Sequence, residues 1–328
     1  VEYFSVIGGL ILLVIAGDKL VEGSVAIAER LNVSKLIIGI TIVSFGTSAP
    51  ELVVGIDSAL SGAPEIALGN VVGSNIANIL LVLGIPALFY PFACKDRDIR
   101  HSLFFMLLAT ILFIFLSFLG DLHIWQGLLM LSFLIGFLYY SINRAKSDMR
   151  ILKHDIDLAQ HVMTDMDMDP ELVEEFPLGR AVIMTSLGLA GLIFGGHILV
   201  EGSVTIARTY GISEAIIGLT IVAVGTSLPE LVTSVIAARN NHGDVVMGNI
   251  IGSNLFNILA IMGVTTLLTP VPIPEHFFLV EFPILLITSL MLVPIALGKI
   301  KINRLIGMVF SGFYLLYLLF LGAQLDII

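Results

Sequence analysis

Apolar residues run along this chain in stretches of about twenty, broken by short polar turns, from one end to the other. A helix of that length crosses roughly 30 Å of hydrocarbon. Ten candidate spans follow, at roughly 2–28, 34–60, 65–90, 101–119, 123–144, 179–208, 212–238, 244–269, 277–297 and 301–324. The alternation of about ten-residue segments expected of a membrane barrel is absent. One long polar stretch, KSDMRILKHDIDLAQHVMTDMDMDPELVEEFP, lies between the fifth and sixth spans and is too rich in Asp and Glu to enter lipid. The pattern predicts an all-α integral membrane protein: 1–145 a first five-helix unit, 146–178 a cytoplasmic acidic loop, 179–328 a second five-helix unit.

The two units are copies. Glu230 minus Glu51 is an offset of 179, and the same offset aligns Leu20 with Leu199, Gly39 with Gly218, Ser74 with Ser253 and Gly84 with Gly263 without a gap. About half of the aligned positions in that region are identical, more than shared hydrophobicity produces. Five spans per unit is an odd number, so the second copy enters the membrane from the opposite side. Two inverted-topology five-helix repeats are the plan of many secondary transporters.

Charge agrees with this plan. With the N-terminus outside, the cytoplasmic turns collect Arg30 and Lys35, then Lys95, Arg97 and Arg100, then Arg144, Lys146, Arg150, Lys153 and Arg180, then Arg239, then Lys299, Lys301 and Arg304; the outer side holds only Arg208. Lys and Arg accumulate on the cytoplasmic side, which gives an N-out, C-out orientation in an inner or plasma membrane. Composition fits, with 57 % hydrophobic and 13 % charged residues. The formal charge of −10 comes mostly from the acidic loop and says little about partners. No nucleic-acid partner is indicated, and the protein is expected to work as a monomer. The single cysteine, Cys94, permits no disulfide within the chain. VEYFSVIGGLILLVIAG lacks the basic region and cleavage site of a leader and reads as the first span.

Chemistry concentrates in two pairs of motifs. VSFGTSAPELVVG, from Val43, and VAVGTSLPELVTS, from Val222, put a glutamate and a proline inside apolar spans. Thr47 and Ser48 stand four and three residues before Glu51, so two hydroxyls and a carboxylate share one helical face. Pro50 withdraws the usual partner of the Gly46 carbonyl, and a kink or an unwound turn is expected there. In lipid a freed carbonyl needs a cation or a water-lined cavity. Thr226, Ser227, Pro229, Glu230 and Gly225 repeat the arrangement.

The second motif is GNVVGSNIANILLVLG from Gly69 and GNIIGSNLFNILAIMG from Gly248. Ser74 and Asn78 lie four apart, as do Ser253 and Asn257, which offers a hydroxyl and an amide oxygen on one face. Gly69, Gly73, Gly248 and Gly252 have the spacing that lets helices approach closely, and they read as packing residues. Asn75 and Asn254 face one helical step away from the serines. Together the motifs bring two carboxylates, hydroxyls, amide oxygens and carbonyls near the bilayer middle with no cysteine or histidine. Such a set suits hard cations, Na⁺, Ca²⁺ or Mg²⁺, over zinc or copper. A carboxylate at that depth costs several kcal/mol, so a duplicated one points to function.

Other polar residues have simpler readings. Glu22 and Glu201 are expected at span ends, Asp18 and its image His197 in local pairs, Asp57 in a vestibule or a local pair, and Glu281 at headgroup level. DMDMDPE, from Asp165, opens like a calcium loop, but Pro170 and Phe176 replace the glycine and glutamate that an EF-hand requires. It reads as a solvated charge run.

GTSAPE with GNVVGSNIANI, and GTSLPE with GNIIGSNLFNI, resemble the two alpha repeats of the sodium/calcium exchangers in the cation/calcium exchanger superfamily, of prokaryotic type. The resemblance covers about residues 8–90 and 187–270. It implies a secondary antiporter, not an enzyme, that moves Na⁺ inward and Ca²⁺ outward by alternating access, with both ions as substrates and no organic cofactor. It implies Glu51 and Glu230 as central Ca²⁺ ligands, aided by the Thr47 and Thr226 carbonyls. Ser48, Ser227, Ser74 and Ser253 would line Na⁺ sites with the Ser44 and Ala223 carbonyls, and Asn78 and Asn257 would complete the centre. The first and sixth spans would slide as a gating pair, their glycines forming the sliding interface. Potassium-dependent relatives carry aspartate where this chain has Asn257, which implies that K⁺ is not cotransported. The proton-coupled branch uses a GNxxE motif, whereas here the run is Gly69, Asn70, Val71, Val72, Gly73. A proton-coupled Ca²⁺ antiporter using the same glutamates is the alternative. An intramembrane hydrolase is the remote one, for it lacks a nucleophile paired with a base, and His101, His123 and His276 fall near span ends.

Overall fold

The computed structural model describes residues 2–96, 98–164, 177–211 and 223–325. Its helices in chain order are α1 (Glu2–Arg30), α2 (Lys35–Thr47), α3 (Ala49–Leu60), α4 (Pro64–Phe89), α5 (Ile99–Phe118), α6 (Ile124–Thr164), α7 (Leu178–Thr209), α8 (Ala223–Thr226), α9 (Leu228–Arg239), α10 (Gly243–Leu268), α11 (Glu275–Ala296) and α12 (Arg304–Leu325). Among the described residues eight helices are long and apolar enough to cross a membrane, and α2 with α3 makes a ninth if the bent pair is one span. The counterpart of that pair, expected over roughly 212–238, is described from Ala223 onward as α8 and α9. The acidic DMDMDPE motif lies outside the described residues.

Helix breaks occur where the sequence removes backbone donors. α2 and α3 meet at a 45° bend at Ser48, with Pro50 in the first turn of α3. α11 restarts at Glu281 and again at Val293, ahead of Pro283 and Pro294. Two π-helical turns, Gly39–Val43 in α2 and Asn257–Ile261 in α10, lie beside the motif residues, where such turns re-aim side chains. α6 runs well past the expected end of its span, to Thr164. The apolar run sets where lipid ends, whereas the helix continues because the next residues are good helix formers.

The repeat is visible in the backbone. Asn32 and Gly211, 179 apart, both hold positive φ, of 50° and 74°, and so do Gly62 and Asn241, at 76° and 61°. Each pair ends corresponding helices with a left-handed residue, which glycine and asparagine adopt at least cost.

α10 and α4 form the enclosed centre, and α1 and α7 lie together against it. Glycines set the α1–α7 spacing: a Cβ on Gly9 would lie 2.8 Å from the Gly195 carbonyl, and one on Gly23 2.8 Å from the Ala181 carbonyl. The two helices are therefore antiparallel and in backbone contact. Their glycines mostly face one another rather than the core, so they bind the pair into a unit more than they provide the surface on which it would slide. Gly17, against Ile236 and Val232, is an exception.

The loops expected on the cytoplasmic side meet one another. The amides of Lys95 and Asp96 donate to Asp244 at 2.7 and 3.1 Å, Phe92 pairs with Ile302 as an isolated β-bridge, and Arg144 Nε donates to Asp98 at 2.7 Å. On the loops expected opposite, Leu122 pairs with Val271.

Candidate functional site

Four broken or bent elements supply the site. The α2–α3 bend carries Ser44, Thr47, Ser48 and Glu51, and the α8–α9 junction carries Thr226, Ser227 and Glu230, with the Ala223 backbone opening α8. α4 carries Ser74, Asn75 and Asn78, and α10 carries Asn249, Ser253, Asn254 and Asn257. Glu51 and Glu230 are each 0 % exposed. Ser44, Thr47, Ser48, Ser74, Asn78, Ser227, Ser253 and Asn257 are buried as well, while Thr226 is half-buried at the edge of a cavity.

The structure brings the two halves into direct contact. Ser48 Oγ donates to Glu230 Oε1 at 3.0 Å, joining first-repeat hydroxyl to second-repeat carboxylate. Thr47 and Ser253 lie beside the same carboxylate, and Glu51 is near enough to interact with it electrostatically. Asn257 Nδ2 donates to Asn75 Oδ1 at 3.0 Å, and Asn75 Nδ2 donates to the Asn254 carbonyl at 3.3 Å, so α4 and α10 are pinned together at the centre. Ser44 Oγ donates to the Ile40 carbonyl, and the Ser44 carbonyl in turn accepts from the Ser48 amide at 3.0 Å and from Thr47 Oγ1 at 3.3 Å.

Eight buried oxygens of these site residues have no hydrogen-bond partner among the described residues: both of Glu51, Oε2 of Glu230, Oδ1 of Asn78, Asn254 and Asn257, and Oγ of Ser227 and Ser253. Buried polar groups are ordinarily paired, and a buried carboxylate without a partner is costly. Oxygen ligands in this number, two of the side chains being acids, suit a hard cation. Among the described residues no three His, Cys, Asp or Glu side chains cluster as a metal centre, so the other ligands here are neutral oxygens.

Asn75 is more than a residue facing away. Its Oδ1 positions Asn257, and its Nδ2 holds the α10 backbone at the Asn254 carbonyl. Asn249 is the residue that motif reading missed: it accepts from Thr47 Oγ1 at 3.2 Å and donates to the Glu230 carbonyl at 3.2 Å and to Ser234 Oγ at 3.1 Å. Its signal was present in GNIIGSN, at offset 179 from Asn70. Asn70, by contrast, is half-buried and its Nδ2 has no partner among the described residues.

Gly248 and Gly252 do the packing expected of them, for a Cβ would fall 2.5 Å from the Leu36 carbonyl or 2.5 Å from the Ile40 carbonyl. Gly69 and Gly73 do not: among the described residues nothing stands within 4 Å of a Cβ at either. They open instead onto a cavity of about 370 Å³ shared with Ser74 and Thr226.

Asp18 pairs with Arg239 at 3.0 Å, Glu22 with Lys19 at 2.9 Å, and His197 stands 3.8 Å from Glu201, all on exposed surface. Asp57 is exposed. Glu281, expected at headgroup level, is 7 % exposed and lines the same cavity as Ser74, because the helix break at Val280 turns it inward. At the end where the basic loops meet, burial raises the pKa of Asp96 and that of the Cys94 thiol, whereas burial and the Lys35 ammonium lower that of His242.

The family model described as sodium/calcium exchanger protein matches residues 1–143 and 180–323. The putative antiporter CaxA of Alkalimonas amylolytica is 38 % identical over 96 % of this chain and 97 % of its own length. Sodium/calcium exchanger MaX1 of Methanosarcina acetivorans is 31 % identical over 98 % of each. A solved structure of the sodium-calcium exchanger NCX_Mj, soaked with zero Na⁺ and Ca²⁺, superposes with a TM-score of 0.78 at 30 % identity, covering 96 % of this chain and 97 % of that one.

Proposed function

This chain belongs to the sodium/calcium exchanger family of multi-pass membrane antiporters, and on that footing we propose that it moves several Na⁺ inward for one Ca²⁺ outward by alternating access. The observation that carries the proposal is the pair Glu51 and Glu230, fully buried, from opposite halves, with three of four carboxylate oxygens unpartnered among the described residues. Two negative charges match one Ca²⁺ or a group of Na⁺, so competition for one acidic chamber couples the ions without a separate linkage device.

In this reading Glu51, Glu230 and the Thr47 and Thr226 carbonyls hold Ca²⁺. Ser48, Ser227, Ser74 and Ser253, with the Ser44 and Ala223 carbonyls, hold Na⁺. Asn78 and Asn257 complete the centre with neutral oxygens. Asn257 contributes no charge and donates to Asn75, which supports transport independent of K⁺.

The ten-span plan, with 1–145 and 179–328 as inverted repeats and 146–178 between them, is supported by the 179-residue offset and by the antiparallel α1–α7 packing. α1 and α7 move as one unit over the rest. The chain is placed in the inner or plasma membrane, both termini outside, working as a monomer.

Two contrasts support an outward-facing conformation. Gly39 abuts Gly248 near the turns expected inside, while among the described residues nothing meets a Cβ on Gly69 or Gly73, near the turn expected outside. Asn249 is fully bonded, while Asn70 Nδ2 has no partner among the described residues.

The test is Ca²⁺ uptake into vesicles loaded with Na⁺, with the proton gradient collapsed. Uptake that follows the Na⁺ gradient and ignores added K⁺ is expected. Uptake that requires a proton gradient would transfer the same glutamates to proton coupling.

A further inference from the structure

The cavity between α4, α11 and α12 contains an acid that the exchange site does not use. Glu281 is 7 % exposed, and its Oε2 has no hydrogen-bond partner among the described residues. Its other oxygen stands 3.9 Å from His276 Nε2, but that imidazole is 61 % exposed and so is screened by solvent. Phe277, Phe278 and Phe282 pack their rings around this break, with centroids 5.5 to 5.7 Å apart, and supply no polar group to the carboxylate. A place in the first turn of the restarted helix explains an acid here, but it does not explain an oxygen left bare beside a cavity.

The rest of the lining is chemically consistent with a ligand. Tyr314 and Tyr317 face the same space, and Asn70, whose Nδ2 has no partner among the described residues, presents Oδ1 once its amide is turned. At the other end of the cavity lie Ser74 and Thr226. About 370 Å³ accommodates an ion with much of its water, at roughly 30 Å³ per molecule. One carboxylate with neutral hydroxyl and amide oxygens balances a single positive charge. Ca²⁺, which takes 6–8 oxygens and favours several acids, would be left undercompensated.

We propose that Glu281, with Tyr314, Tyr317 and Asn70, forms a separate site for one partly hydrated Na⁺, from which the ion passes to the Ser74 and Thr226 end of the cavity. The onward passage rests on the exchange reading; the site itself does not. Glu281 here is a ligand in the approach, not a member of the Glu51–Glu230 chamber.

Equilibrium binding of ²²Na⁺ to the purified full-length protein tests it in a Glu51→Gln, Glu230→Gln background, where the central charges are gone. Saturable binding of one Na⁺ should persist there, vanish when Glu281→Gln is added, and survive Glu281→Asp. In the chain with both central glutamates intact, Glu281→Gln should lower the number of bound Na⁺ by one, which guards against misfolding of the multiple variant. Binding unchanged by Glu281→Gln in both backgrounds overturns the site. Failure of Na⁺-driven Ca²⁺ uptake by the unaltered protein would overturn the exchange reading instead, while the binding measurement still decides the site.

Discussion

Ser48 donates to Glu230 across 3.0 Å, and the image of that contact under the repeat, Ser227 to Glu51, is not made: Ser227 Oγ and both Glu51 oxygens are buried without partners among the described residues. The repeat is symmetric in sequence and asymmetric in bonding. The alternating access proposed above needs two states that exchange the roles of the halves, and an asymmetry of this kind is what one such state would show.

Glu51→Ala or Glu230→Ala should each abolish Ca²⁺ binding measured by calorimetry, since each removes half the charge of one chamber. Ser48→Ala should weaken it less. A hydrogen bond to a charged group contributes about 1.5–3 kcal/mol, or roughly ten- to a hundred-fold in affinity. Retained affinity in both glutamate variants would count against a shared site.

Asn249 holds Thr47, the Glu230 carbonyl and Ser234 at once, all buried. Asn249→Ala should therefore lower stability by roughly 2–4 kcal/mol, because it leaves several buried groups unpaired. Asn70→Ala, at the half-buried image position, should change it by less than about 1 kcal/mol. Thermal unfolding of the two purified variants makes the comparison; equal losses would show that the two positions are equivalent.

Gly248→Ala would press a methyl against the Leu36 carbonyl and Gly39. Overpacking of this kind costs typically 1–3 kcal/mol, so the midpoint should fall. Gly69→Ala meets nothing within 4 Å among the described residues and should leave the midpoint unchanged, yet it should slow turnover several-fold if the outer side closes by the contact that its image Gly248 makes now. Unfolding midpoints and Ca²⁺ flux, measured together, separate packing from gating.

His242 gives a pH dependence. Its pKa lies below the ordinary 6.5 because burial, then Lys35, disfavours the imidazolium, while Glu29 and Asp244 oppose the shift. The folded state thus prefers the neutral ring. That stability is fully present above pH 6.5 and is lost as pH falls through the lowered folded value. Midpoints scanned downward from pH 7.5 should decline less in His242→Gln than in the unaltered protein; parallel curves would assign the acid response elsewhere.

Much of this was legible in the sequence because membranes constrain it so strongly. Apolar runs of span length must be helices, and a duplicated intramembrane acid must have partners. The offset that aligns Glu51 with Glu230 also placed the left-handed turns at Asn32 and Gly211, since identical local sequence meets identical local sterics. Only the tertiary structure could place Asn249 and Asn75 as brackets and Glu281 in a cavity. Each depends on which helix lies across from it and how the helix breaks turn, and no periodicity within one span encodes that. Sequence likewise made the halves equal, and packing made them different. Gly39 meets Gly248, while among the described residues nothing meets a Cβ on Gly69 or Gly73, which line a cavity: the helix that lies across from each glycine, and not the motif around it, decides which is packed.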